Sequence, residues 1–332
     1  MATYYVSEQG AVVRKQDERL VVTKDDAVIA EIPMHQLDQL VILGNVQLTT
    51  QAVTLLLKAG TDTVFMSTTG GARGRLISDE SAFAELRLRQ LQAMSDEGRN
   101  LALARPTVIG KLINQRALLA GAGNGSAALN PALRGIAEMT EAARRAANAE
   151  SLRGFEGKAG AWYWPAFRQL LKNDMGFAQR VYHPSPDPIN ALLSFGYALL
   201  QKDVAAAVHL VGLDPYLGFF HTVQYGRPSL VLDLMEEFRP VLVDPLVLKM
   251  VARDEIREAD FARTRSITRP VTLKEDALRR VIERYEAGIT ARARYPFSGE
   301  ETTWRRCIEL QTRQMARVIK GEQAEYQALL KE

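Results

Sequence analysis

The feature that most constrains this chain is a change of pattern near residue 80. Before it, short runs of β-branched and aromatic residues (4–6, 11–14, 20–23 and 28–30) alternate with polar stretches such as Ser7-Glu8-Gln9-Gly10 and Lys24-Asp25-Asp26. That punctuation marks strands. A further strand is expected over 37–43, a helix over 50–58 stopped at Gly60, and another strand over 63–66. Residues 67–74, STTGGARG, read as a flexible loop. Gly-rich loops can wrap phosphate, but no Gly-Lys-Ser/Thr follows, so a turn before a last strand is the plainer reading. After residue 80 the segments 81–97, 102–122 and 130–153 are rich in Ala, Leu, Arg, Gln and Glu, which favour helix. Segregated strands and helices define an α+β chain. We expect a small β-rich N-terminal domain over 1–78, a linker over 79–85 and a larger all-α helical domain over 86–332.

Within the helical part, Pro106 is expected at a helix start or kink, and Pro131 in the first turn of the next helix. Residues 183–188, HPSPDP, cannot be helical throughout. The apolar run 189–211 reads as a central helix, with Asn190 and Tyr197 as buried hydrogen-bonding groups. Lys202 and Asp203 mark its least buried side, and His209 reads as a core or edge histidine. Amphipathic helices are expected over 245–258 and 273–290, a basic loop over 261–269, and a last helix over 304–330 loosely held at its end.

Composition narrows the function classes. Hydrophobic residues make up 47% of the 332, enough for a sizeable core. The formal net charge of +3 permits an anionic partner without demanding one. Arg and Lys after residue 250 are interleaved with acids, which suits either a solvated surface or a DNA-backbone footprint. The single cysteine, Cys307, excludes a disulfide framework and a thiolate metal site and fits a reducing, cytoplasmic setting. The start, MATYYVSEQG, lacks a leader pattern, and with no run of about 18 apolar residues no membrane span is expected.

The chemistry concentrates in 212–244, GLDPYLGFFHTVQYGRPSLVLDLMEEFRPVLVD. His221 stands among aromatics, and an apolar run is then interrupted by Asp233 and Glu236. Three apart on a helix, these carboxylates share a face among leucines. Burying them together is costly unless a cation or proton sits between. No GxSxG, HExxH, CxxC or phosphate-loop motif occurs, so nucleophilic Ser or Cys catalysis has no support. Carboxylates with one imidazole suit Mg2+ or Mn2+ better than structural zinc. A distant acid, Glu156, sits between Gly154 and Gly157, although alone it reads as a solvated or capping carboxylate. No local spacing joins Glu156, His221 and Glu236.

Four blocks in order resemble the CRISPR-associated Cas1 family: Glu156-Gly157 with Tyr163; 188–198, PINALLSFGYA; 212–221, GLDPYLGFFH; and 227–240, RPSLVLDLMEEFRP. Gly74 and Lys111-Leu112-Ile113-Asn114-Gln115 are similar to the same family's pattern. The resemblance implies a β-sandwich-like N-terminal domain that makes a homodimer, and a helical domain with a divalent metal site. By position it implies Glu156, His221 and Glu236 as catalytic metal ligands for Mg2+ or Mn2+. Asp233 would orient a ligand or bind metal through water. It further implies an integrase and endonuclease of spacer acquisition that pairs with the small Cas2 protein. Such a protein binds double-stranded protospacer DNA and joins its 3′-hydroxyl ends to the CRISPR repeat by transesterification. Lys158, Arg227, Arg239 and basic residues after 250 are candidate phosphate contacts. Two other classes stay open on the residues alone: a non-catalytic DNA-binding assembly subunit, and a phosphohydrolase of small phosphates.

Overall fold

A computed structural model describes residues 3–77 and 83–331. Residues 79–82 of the expected linker lie outside the described residues. The chain divides into two compact units, Met1–Ala82 and Phe83–Glu332.

The first unit contains β1 (Thr3–Val6), β2 (Val12–Gln16), β3 (Arg19–Lys24), β4 (Ala27–Pro33), β5 (Gln39–Leu43), β6 (Gln47–Leu48), α1 (Thr50–Ala59), β7 (Asp62–Met66) and β8 (Ala72–Leu76). One sheet has the order β1-β5-β7-β8 and the other β4-β3-β2-β6. Val6, Val13, Leu20, Ile32, Leu40, Ile42 and Leu56 come from both sheets and from α1, and they pack as one core. The layered arrangement follows because each sheet has one apolar face to hide. Two parallel pairings, β1 with β5 and β5 with β7, place β5 centrally, and all five of its residues are buried. The expected loop over 67–74 is shorter in the structure. Ala72, Arg73 and Gly74 already belong to β8, paired antiparallel with β7, because a turn closes at Ser67 through its amide bond to the Gly71 carbonyl.

The second unit contains α2 (Ala84–Ser95), α3 (Glu97–Ala122), α4 (Asn130–Arg144), α5 (Ala149–Leu170), α6 (Pro188–Val211), α7 (Ser229–Met235), α8 (Asp244–Ala252), β9 (Phe261–Arg263), β10 (Val271–Leu273), α9 (Glu275–Ile289), β11 (Arg292–Arg294), β12 (Glu301–Thr303) and α10 (Trp304–Lys320). It is therefore not all-α: β9–β10 and β11–β12 form two short hairpins, the first of which begins within the expected basic loop and closes just past it. Pro106 lies within α3 rather than at its start. The helix expected over 130–153 is two helices. Asn148 restarts the chain by accepting from the Ser151 amide while the Ser151 hydroxyl accepts from the Asn148 amide, a reciprocal cap.

Helix α6 is central as expected, capped by Asp187 at its start and by Gly212, at φ +87°, at its end. By length and mean hydropathy α6 could cross a membrane, although Asn190, Ser194, Gln201, Lys202 and Asp203 interrupt its apolar residues. It is nonetheless mostly buried in this unit and carries a buried ion pair. That pair corrects another reading. Lys202 and Asp203 are 4% and 3% exposed, because partners on α9 and α10 neutralise them. The last helix stops at Gly321, at φ +81°, not near 330. The tail beyond it is not loose: Tyr326 and Leu329 are buried against Glu237.

Candidate active site

The loop after α6 carries His221, and α7 holds it in place. The Asp233 carboxylate, 1% exposed, accepts from the Phe219 amide (2.6 Å), the Phe220 amide (3.0 Å) and the His221 amide (2.9 Å). It also accepts from His221 Nδ1 at 2.6 Å. Those four donors match the roughly four lone-pair sites of a carboxylate. Asp233 is thus saturated, and it acts on the imidazole rather than on a metal. Because Nδ1 donates to a carboxylate, the neutral ring keeps the Nε2 lone pair free. The loop can approach α7 this closely because residue 218 is glycine. A Cβ there would fall 2.7 Å from Ser229 Cβ and 2.8 Å from Asp233 Oδ2.

Glu236, 2% exposed, follows the last turn of α7. Its Oε1 lies 3.6 Å from His221 Nε2 and 3.4 Å from Arg239 Nη1. Two electron-rich atoms facing each other at that separation fit a cation between or beside them. Glu236 Oε2 is 2.6 Å from Lys111 Nζ of α3, an ion pair without the alignment of a hydrogen bond, and this oxygen has no aligned donor. The same ammonium donates to Glu156 Oε1 of α5 at 2.5 Å. One helical turn before Glu156, Arg153 donates to the Phe220 carbonyl at 3.1 Å and ties α5 to the His221 loop.

The electrostatics follow from this packing. Burial alone would push the Glu236 carboxyl up, but Arg239 and Lys111 outweigh it and hold the group well below the usual range. Burial pulls the Lys111 ammonium down, yet Glu236 and Glu156 hold it above the usual lysine value. The expected cation between buried carboxylates is therefore partly a side chain.

The structure brings Glu156, His221, Glu236 and Asp233 into one place. Among the described residues no three His, Cys, Asp or Glu side chains stand close enough to hold a metal as they are. The donor set still fits a hard divalent cation: a buried Glu236 carboxylate whose Oε2 is held only by the Lys111 ammonium, a free imidazole nitrogen and a quarter-exposed Glu156 carboxylate. Of the phosphate candidates, Arg239 belongs to the site itself and stacks over the Tyr197 ring at 5.0 Å. Arg227 is half-buried in the turn before α7, its amide bonded to the Gln224 carbonyl. Lys158 is exposed on α5, two residues past Glu156 and so on a different face.

Residue-level reasoning missed Lys111 as a site residue. The signal was present: a lysine interrupts the apolar run 107–113, TVIGKLI, as Asp233 interrupts its own. Also missed was Asp244, which accepts from Tyr163 at 2.6 Å and Tyr197 at 2.5 Å.

Fold and site together define an α+β protein with a buried carboxylate–histidine centre suited to a divalent cation. The family model described as CRISPR associated protein Cas1 matches residues 4–287, and the chain belongs to that family. A CRISPR-associated endonuclease Cas1 of Thermus thermophilus is 33% identical over 325 residues, covering 97% of this chain and 95% of the relative. A CRISPR-associated exonuclease Cas4/endonuclease Cas1 fusion of Geobacter sulfurreducens is 34% identical over 328 residues, which is 96% of this chain but 58% of the fusion. The solved structure of a casposase bound to integration product shares the fold, with a TM-score of 0.85 at 21% identity, over 98% of this chain and 93% of that one.

Proposed function

We propose that this Cas1-family chain is a divalent-metal-dependent DNA integrase and endonuclease of CRISPR adaptation. It inserts the 3′-hydroxyl ends of a short protospacer duplex into the CRISPR repeat. The observation that carries the reading is the convergence of Glu156, His221 and Glu236 around a single mobile cation, the Lys111 ammonium, with His221 Nε2 facing Glu236.

Glu156, His221 and Glu236 would hold Mg2+ or Mn2+. When bound, such an ion polarises a phosphoryl oxygen and stabilises the charge that develops at phosphorus. Asp233 fixes the imidazole so that Nε2, not Nδ1, faces the reacting groups. The buried wall of Leu230, Val231 and Leu234 lowers the local dielectric and strengthens each charge interaction. In the transfer step the 3′-hydroxyl oxygen bonds to phosphorus while the bond from phosphorus to the repeat strand's own 3′ oxygen breaks. The hydroxyl proton leaves to solvent, and the departing oxygen takes one up. Arg239 supplies a fixed positive charge beside the carboxylates, with Lys158 and Arg227 as further phosphate contacts.

The partners in this reading are a second copy joined through the β-rich unit, the small Cas2 protein and double-stranded DNA, with no membrane. The setting is the cytoplasm, in keeping with the buried free thiol of Cys307. A half-site integration assay with labelled duplex and a repeat-bearing plasmid tests the reading. Joined product is expected with Mg2+ or Mn2+ and none with EDTA. Duplex binding without joining under either cation would replace this reading with a DNA-binding assembly subunit.

A further inference from the structure

We propose that Lys111 is the resident cation of the metal-free site: its ammonium clasps Glu156 and Glu236 together and has to swing out before a divalent ion enters. The inference rests on the reading that Glu156, His221 and Glu236 hold the metal.

Geometry carries it. Lys111 Nζ stands 2.5 Å from Glu156 Oε1 and 2.6 Å from Glu236 Oε2, so it occupies the oxygens a hard cation needs. The charges around those oxygens already balance. Two carboxylates face one ammonium and the Arg239 guanidinium, whose Nη1 is 3.4 Å from Glu236 Oε1. A divalent ion added without loss of the ammonium would leave excess positive charge in a buried place, and two cations would share the same oxygens. The ammonium and the ion are therefore alternatives.

The exchange is confined to the side chain. One turn along α3, Asn114 Nδ2 donates to the Glu237 carbonyl and the Leu329 carbonyl, both at 2.9 Å, and its Oδ1 accepts from the Lys331 amide. Beside Lys111, Gly110 packs so tightly that an added Cβ would collide with Ala328. The α3 backbone is thus clamped between the turn after α7 and the C-terminal tail. Only the flexible four-carbon stem of Lys111 can move. The clasp also explains how two acids remain side by side without metal: the structure supplies its own counter-ion, at a cost in metal affinity.

The test is Mn2+ binding to the DNA-free full chain, followed by calorimetry and by the electron paramagnetic resonance of free Mn2+. Wild type, Lys111→Met and Glu236→Ala are compared. Lys111→Met is expected to bind Mn2+ at least about tenfold tighter than wild type, one such factor corresponding to about one decade in the equilibrium constant. Its metal-free Tm is expected to fall, and Mn2+ to restore more of it than in wild type. Equal or weaker Mn2+ binding by Lys111→Met overturns the inference. If that variant does not fold without metal, wild type carrying lysine labelled with 13C at Cε decides. The Lys111 signal must move when Mg2+ saturates the site, and an unmoved signal overturns the proposal. Wild type and Lys111→Met binding Mn2+ no better than Glu236→Ala would instead sink the metal reading beneath it.

Discussion

Two clusters of buried charge in the helical unit use the same chemistry to different ends. In one, Asp203 Oδ1 accepts from Arg305 Nε at 3.0 Å and Oδ2 from the Tyr285 hydroxyl at 2.7 Å. Both Glu286 oxygens take Arg305 Nη2 at 2.8 Å, and Lys202 completes the balance of charge. Every carboxylate oxygen there has a donor. In the other, Glu236 Oε2 has an ion-pair partner but no aligned donor, and Oε1 has charges only at 3.4 and 3.6 Å. Counting charges does not separate the two, since each pairs acids with bases. Counting saturated oxygens does. A saturated cluster locks α6, α9 and α10 together, whereas one whose oxygens rest on a single flexible ammonium can exchange that cation for a ligand.

The largest expected effect tests the unsaturated cluster. Glu156→Ala, His221→Ala or Glu236→Ala should lower strand transfer on the order of a thousandfold, the scale of several kcal/mol of lost charge stabilisation at phosphorus. The fold should survive, as judged by an unchanged circular dichroism spectrum. Full transfer by any of the three would remove that residue from the site.

The saturated cluster should respond the other way. Arg305→Ala leaves Asp203 and Glu286 without their main donor, and breaking a buried pair on one side costs about 3–5 kcal/mol. A urea midpoint should show that loss, while Mn2+ affinity of the protein that remains folded should match wild type. A variant as stable as wild type would mean that the network is ornamental.

Asp233 sharpens the comparison because it is a saturated acid inside the unsaturated site. Asp233→Asn turns one of the two accepting oxygens into an NH2 donor, so either the Phe219 and Phe220 amides or the His221 amide and Nδ1 lose their acceptor. Loss of such a ligand-orienting partner is worth about 10–100-fold in metal affinity or activity. Single-turnover strand transfer and Mn2+ titration should fall together. A fall in transfer alone would place Asp233 in the chemistry rather than in positioning.

The legible parts of this molecule were those written locally. The switch from strand runs to helix formers is a matter of neighbouring residues, so the β-rich and helical units could be read directly. An acid inside an apolar run, at 233 and 236, announced the site in the same way. What was not legible depends on long-range partners. Lys202-Asp203 read as an exposed edge of α6 because Glu286 and Arg305 lie about 80 and 100 residues further on, and no spacing rule reaches that far. The tail read as loose for the same reason, since its burial depends on Glu237 and Asn114. Glu156 alone looked like a solvated acid on a half-exposed helix. Only the resemblance, and then the clasp by Lys111, brought it to His221 and Glu236.

The smallest effect concerns a third kind of buried acid, saturated by neutral groups instead of by cations. Asp244, 1% exposed, takes one hydroxyl on each oxygen, from Tyr163 and Tyr197. Burial pushes its carboxyl up to about 6, and the two hydroxyls and Arg239 only partly offset this. The folded state therefore keeps the proton after the unfolded chain, with a carboxyl near the usual 3.9, has lost it. Its contribution to stability is fully present below about pH 4 and is lost as the pH rises through about 6. Asp244→Asn removes that proton from the balance. Relative to wild type, the variant should gain about 2 kcal/mol between pH 4.5 and pH 8, since the wild type passes through roughly 1.5 pKa units at about 1.4 kcal/mol each. Urea midpoints at the two pH values measure the difference. Parallel pH profiles for the two proteins would show that Asp244 is ionised throughout. It would then belong with Asp203, among the acids whose charge the fold has matched.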